Sequence, residues 1–143
     1  MTWLLDVNVL IALIDPRNVH HQTAHTWFAR VGQSSWASCP LTENGVIRVV
    51  GNPRFPNSPG SLPAVAESLN SVLSHPGHRF WPDDISLLDR QKVDLTRMLT
   101  SSQVTDSYLL ALAVAHGGQL ATFDQRLIVD AVPNGAQHLH LIR

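Results

Sequence analysis

The sequence predicts an α/β domain built on a mainly parallel sheet, and three observations carry that expectation. Short apolar runs of strand length alternate with segments whose apolar residues recur at helical spacing, the pattern of a sheet covered by helices on both faces. The chain has 143 residues, 44% of them hydrophobic, enough for one domain with a real core. Nine prolines and eight glycines are spread along it, with no repeat, low-complexity tail or composition break. Residues 1–143 therefore read as a single domain.

The elements follow in order. Trp3-Leu4-Leu5 begins a buried strand over residues 3–7, and the apolar run 9–14 is a short helix behind it. Asp15-Pro16-Arg17-Asn18 is a turn. Ala24, Trp27, Phe28 and Val31 repeat at helical spacing through 20–31, where Gly32 stops them. Residues 35–38 form a short strand ended by Pro40, and 41–50 a helix despite Gly45. The Pro-, Gly- and Asn-rich stretch 51–63 is a surface loop, followed by an amphipathic helix over 64–73. Arg79-Phe80-Trp81 is a strand, and Pro82-Asp83-Asp84 caps a helix over 85–88 that continues through 92–99. The clearest helix, 105–116, ends at Gly117-Gly118. A strand at 120–123, a short helix at 127–131 and a strand at 138–142 complete the chain.

A formal net charge of −1 argues against a general polyanion-binding surface, although a local arginine cluster is enough to position phosphates. The lone cysteine, Cys39, cannot form an intrachain disulfide and suits a reducing cytoplasm. The apolar N-terminus is interrupted by Asp6 and Asn8, has no basic residue ahead of it, and is too short to span a bilayer. A cytoplasmic protein without a membrane segment is expected.

Four acids stand where apolar segments begin or end: Asp6, Glu43, Asp106 and Asp124. Open α/β sheets bind ligands beyond the carboxyl ends of their strands, and such a sheet carries at least two of these acids to that edge. Clustered carboxylates raise one another's pKa, so the arrangement is costly without a cation. Hard divalent ions prefer carboxylate oxygens, and two of them about 3.5–4 Å apart stabilise both the attacking and leaving oxygens in phosphodiester hydrolysis. Asn8 and Thr122 are the polar residues placed to support the acids. Each acid also has a plainer use: Asp106 as a helix cap, Glu43 as a partner of the helix dipole, Asp124 as a turn residue. Asp6, inside an apolar run, is the hardest to explain that way.

The segments Leu5-Asp6-Val7-Asn8-Val9-Leu10, Leu41-Thr42-Glu43-Asn44-Gly45-Val46-Ile47-Arg48, Thr105-Asp106-Ser107-Tyr108-Leu109-Leu110-Ala111 and Ala121-Thr122-Phe123-Asp124 together resemble a PIN domain. They look most like the toxin half of VapBC-type toxin–antitoxin pairs. The resemblance implies a three-layer α/β/α sandwich and a Mg²⁺- or Mn²⁺-dependent ribonuclease. It makes Asp6, Glu43, Asp106 and Asp124 the acidic quartet around the metal, with Asn8 and Thr122 as accompanying polar positions. It also implies an RNA substrate, a small antitoxin inserting a basic side chain into the acidic pocket, homodimers and toxin–antitoxin hetero-oligomers.

Arg48 and Arg54 are the candidate RNA contacts, with Arg17 and Arg126 also beside motif segments. Arg48 could equally form ion pairs at an interface. Two rival functions remain. A phosphoryl-transfer protein with Asp6 as nucleophile resembles families that use a lysine near a strand end, whereas the only lysine, Lys92, lies in the predicted helical region 85–99. The other rival is a non-catalytic RNA- or protein-binding module. His21 and His25, one helical turn apart, lack a third zinc ligand. Cys39 reads as a small buried residue, and Trp3, Trp27, Trp36 and Trp81 as packing groups.

Overall fold

The computed structural model describes residues 1–143. Five short strands, β1 (Trp3–Leu5), β2 (Trp36–Ser38), β3 (His78–Phe80), β4 (Gln119–Thr122) and β5 (Leu139–Leu141), form one sheet in the order β3-β2-β1-β4-β5. Every pairing is parallel. The helices are α1 (Val7–Ile14), α2 (His21–Arg30), α3 (Pro40–Val50), α4 (Leu62–Leu73) and α5 (Val104–Ala115).

Alternation along the strands divides the core in two. Leu5, Trp36 and Ala121 pack with residues of α1 to α4, while Leu4, Ala37 and Leu120 pack with α5 on the opposite face. This is a three-layer α/β/α sandwich. β1 lies at its centre, with Leu4 paired to Ala37 on one side and Leu120 on the other. Each strand spans only three or four residues, so burial holds the sheet together more than ladder hydrogen bonds do. A fully buried leucine contributes about 1.5–3 kcal/mol, and Leu4, Leu5, Leu109, Leu110, Leu112 and Leu120 are all 0% exposed.

Helix ends explain several residues. α5 stops in a Schellman turn: Gly117 adopts φ +69°, its N–H bonds the Val114 carbonyl at 3.1 Å, and Gly118 N–H bonds Ala113 at 2.9 Å. His21 and His25 cap α1 instead of holding zinc. His21 Nδ1 lies 2.7 Å from the Ala12 carbonyl and His25 Nε2 2.8 Å from that of Leu13, so each ring gives a proton to a carbonyl the helix leaves open. Gly45 is needed inside α3 because a Cβ there would stand 2.6 Å from Cγ2 of Val7.

Two predicted helices are absent. Residues 85–99 form turns and one short 3-10 helix, Leu95–Arg97. Asp83 and Asp84 do not start a helix there: Asp83 Oδ2 accepts from the Leu41 N–H of α3 at 3.1 Å, and Asp84 Oδ1 meets His116 Nε2 at 3.0 Å. Only Val93 is buried in that stretch, while Leu88 and Leu99 are each 81% exposed. Ile85, Leu87 and Met98 pack against the same core as Val93 from irregular backbone, so the stretch meets the core without a helix. Residues 127–131 are also irregular, with the Ala131 carbonyl taken by Asp94 N–H at 2.7 Å. No helix is long and apolar enough to cross a membrane.

Candidate functional site

The chain builds β1, β2 and β3 outward in one direction, then β4 and β5 on the other side of β1. The sheet order therefore reverses between β1 and β4, and the carboxyl edge at such a switch point is where open α/β sheets bind ligands. Asp6 directly follows β1, and Asp124 lies two residues beyond β4. Asp106 is in the first turn of α5, the helix that leads back to the start of β4, so it points to the same edge.

Asp6 is 6% exposed and caps α1: Oδ1 accepts from Val7 N–H at 2.7 Å. Its Oδ2 accepts the hydroxyl proton of Thr122, also at 2.7 Å. The Thr122 oxygen in turn accepts from Asn8 Nδ2 at 3.2 Å and from the Asp124 N–H at 3.1 Å. One hydroxyl thus ties Asp6, Asn8 and Asp124 into a single network across β1 and β4. Asp124 also accepts from Arg126 N–H at 2.9 Å, so its turn function and its place beside the cluster coexist.

Burial raises the pKa of Asp6, and the charge of Asp124 raises it further, against the lowering effect of Thr122 and Val7. Asp106 is pushed up to about 6 by burial first, then by the charges of Asp6 and Asp124. The three carboxylates therefore act on one another. Neither of the two ion pairs in the molecule, Arg97–Asp94 and His116–Asp84, reaches them. As placed, no three His, Cys, Asp or Glu side chains stand close enough to enclose an ion.

Glu43 stands somewhat apart. It lies in the first turn of α3, after the neighbouring strand β2, and is not among the charges acting on Asp6 or Asp106. Its Oε2 accepts from the buried Ser38 hydroxyl at 2.7 Å, and Ser38 Oγ lies 2.8 Å from His78 Nε2. No motif marked Ser38 or His78: Ser38 stands five residues before Glu43, and His78 joins the pair only through the parallel pairing of β2 and β3. Arg48 and Arg54 are exposed and make no ion pair with any of the acids. Lys92 lies beside Ala111, Val114 and Ala115 in the last turns of α5, away from Asp106 in the first. Cys39 is 0% exposed, and burial pushes its thiol up to about 11, which leaves it inert.

A carboxylate cluster at the switch point of an all-parallel sandwich defines the class of protein. The chain belongs to the PIN domain family, which matches residues 3–131. It is 45% identical over 141 residues to Ribonuclease VapC44 of Mycobacterium tuberculosis, covering 99% of this chain and 98% of that one. Ribonuclease VapC39 of the same organism is 44% identical over 132 residues, covering 92% and 94%. Among solved structures, the fold is similar to VapBC2 from Rickettsia felis bound to a DNA fragment from their promoter, with a TM-score of 0.62, 12% identity and full coverage of both chains. PAE2754 from Pyrobaculum aerophilum matches with a TM-score of 0.57 and 22% identity over 92% of this chain and 80% of that one. At these identities the two structures speak for the fold alone.

Proposed function

We propose that this chain is a metal-dependent endoribonuclease and the toxin of a type II toxin–antitoxin module. The observation that carries the metal reading is the gathering of Asp6, Asp106 and Asp124 at the carboxyl edge of β1 and β4, two of them tied through Thr122, with no arginine or lysine paired to them. The donor chemistry fits a hard divalent cation, Mg²⁺ or Mn²⁺. No three of these side chains enclose an ion as placed; Mg²⁺ keeps several of its waters and needs no closed protein cage. The RNA substrate is supported by relatives that bear the name ribonuclease along nearly their whole length. The antitoxin partner is supported by the same relatives, which bear the name VapC, the toxin half of VapBC pairs that the motif segments resemble.

In this reading Asp6, Asp106 and Asp124 hold the cation. When bound, it supplies Lewis-acid stabilisation of charge on the phosphodiester oxygens. The chain's own groups set the geometry. Thr122 and Val7 fix one lone pair on each oxygen of Asp6 and leave the others free. Asn8 orients Thr122. Glu43, steadied by Ser38, completes the ligand set or orients the attacking water. Cleavage leaves a 3′-hydroxyl and a 5′-phosphate. Arg48 and Arg54 are the proposed contacts to RNA phosphates, and homodimers and toxin–antitoxin hetero-oligomers in the cytoplasm are the proposed assemblies.

The test is cleavage of total cellular RNA by the purified protein with Mg²⁺, with Mn²⁺ and with EDTA, alongside Asp6→Asn. That substitution keeps the shape of the side chain and removes its charge. Discrete products that require the cation and fall about 100-fold or more in the variant are expected, in line with the worth of a group acting on the transition state. Equal cleavage by folded Asp6→Asn, or products that persist in EDTA, would overturn the reading.

A further inference from the structure

The rim of the acid cluster carries an aromatic pair that the carboxylate chemistry does not use. The rings of His20 and Phe123 stack with centroids 4.4 Å apart and planes 11° from parallel. Phe123 is flanked by Thr122, whose hydroxyl holds Asp6, and by Asp124; its own N–H faces Asn8 Oδ1 at 3.4 Å. The backbone beneath the pair is thus part of the network that fixes the acids. His20 is exposed and stands at the start of α2, yet its side chain makes no capping bond and no other hydrogen bond. Only its backbone is engaged: its N–H by Asn18 Oδ1 at 2.9 Å and its carbonyl by Ala24 N–H at 2.8 Å. The next residue, His21, turns the other way to cap α1. Neither burial, capping nor ion pairing accounts for where the His20 ring lies.

We infer that the His20–Phe123 pair is a stacking platform for a nucleobase of the RNA, next to the phosphate held at the acid cluster. The inference rests on the nuclease reading and adds to it the part of the substrate that is not phosphate. A chain with a net charge of −1 and an acidic centre offers little general attraction to a polyanion. Affinity must then come from contacts that charge repulsion does not oppose, and a flat aromatic face meets that need because every base has a π-face. The two rings are already ordered against each other, so little rotamer freedom is lost when a base arrives. No tryptophan competes for the role, since Trp27, Trp36 and Trp81 are buried and Trp3 packs edge-on against Trp27; the exposed Phe80 ends β3, two strands away from β1. The platform tolerates any base, so it sets register at the cut; the size of a purine's stacking surface favours purine over pyrimidine there.

The experiment uses the full chain and its variants His20→Ala, His20→Phe, His20→Leu and Phe123→Leu. Binding of a fluorescein-labelled single-stranded RNA of mixed sequence is measured in EDTA, where no cation is present. Cleavage of total RNA with Mg²⁺ or Mn²⁺ is measured separately, with KM, kcat and the bases flanking each cut recorded. Losing the exposed ring in His20→Ala weakens RNA binding about 5- to 100-fold, the range of base–aromatic stacking, and raises KM more than it lowers kcat. His20→Phe restores binding, His20→Leu does not, and the base preference beside the cut relaxes in His20→Ala. Phe123→Leu keeps apolar volume against the core and reproduces the loss.

Unchanged affinity and cutting pattern in His20→Ala would sink the platform while leaving the nuclease standing. So would equal rescue by leucine and phenylalanine, which would show that only apolar bulk matters. A wild-type chain that neither binds nor cuts RNA would remove the nuclease reading, and the platform with it. Thermal unfolding of each variant, unchanged for the exposed position, separates these outcomes from loss of fold.

Discussion

The Thr122 hydroxyl donates a 2.7 Å hydrogen bond to Oδ2 of Asp6 across 116 positions of sequence. The same oxygen accepts from Asn8 and from the Asp124 backbone, so one side chain uses its single donor and both acceptor sites. Thr122 is 0% exposed, which gives each of these bonds a low-dielectric setting.

Thr122→Val keeps the shape and removes all three bonds. A hydrogen bond to a charged group contributes about 1.5–3 kcal/mol, so the variant should lose at least that much in urea unfolding. Thr122→Ser, which keeps the hydroxyl, should lose less than half as much. If valine and serine cost the same, the network does not hold the site.

Asp106 gives a pH signature. Its carboxyl titrates near 6 in the folded chain, against an ordinary value of 3.8. Between those values the folded state binds more protons than the unfolded, so stability falls as pH rises through the window. Each pH unit separating the two values is worth about 1.4 kcal/mol in full burial, and with the screening of a half-buried carboxyl the wild type in EDTA should lose on the order of 1–2 kcal/mol from this group between pH 4 and pH 7. Asp106→Asn should not lose it, and should be the more stable of the two at pH 7. Denaturation curves at the two pH values check this, and Mg²⁺ should narrow the difference at pH 7 if the cation binds there. Parallel pH profiles of the two proteins would contradict it.

Gly45→Ala tests the close approach of α1 and α3. Alanine favours a helix by about 0.5–1 kcal/mol, but its methyl would meet Val7 Cγ2 at 2.6 Å. Val7 directly follows Asp6 and donates to it, so the helix cannot yield without disturbing the acid. A net loss of about 1–3 kcal/mol is expected, the usual cost of overpacking. Gly45→Ala together with Val7→Ala should recover part of it.

Much of the architecture was legible in the sequence because it is locally encoded. Leu4, Leu5, Leu120 and Ala121 announce strands buried on two faces, and α5 is apolar along most of its length. The four acids were visible because each interrupts or borders an apolar segment. The helix expected over 85–99 was not formed, since the acids expected to cap it, Asp83 and Asp84, are bound instead to α3 and to His116 at the end of α5. Likewise, the place of His78 beside the Ser38–Glu43 pair has no local pattern, because it depends on which strand lies beside β2.

The sequence by itself determined the alternation of strands and helices, the apolar faces, the family and the order of the acids. Side-chain periodicity and capping, which act over a few residues, determine the first two, and the resemblance of the four motif segments carries the family and the order of the acids. Only the tertiary structure decided that β4 lies beside β1, on the side away from β2. Strand order is a contest among long-range pairings that no local period records. That choice joins Thr122 to Asp6, sets Asp106 and Asp124 against it, and lays Phe123 under His20.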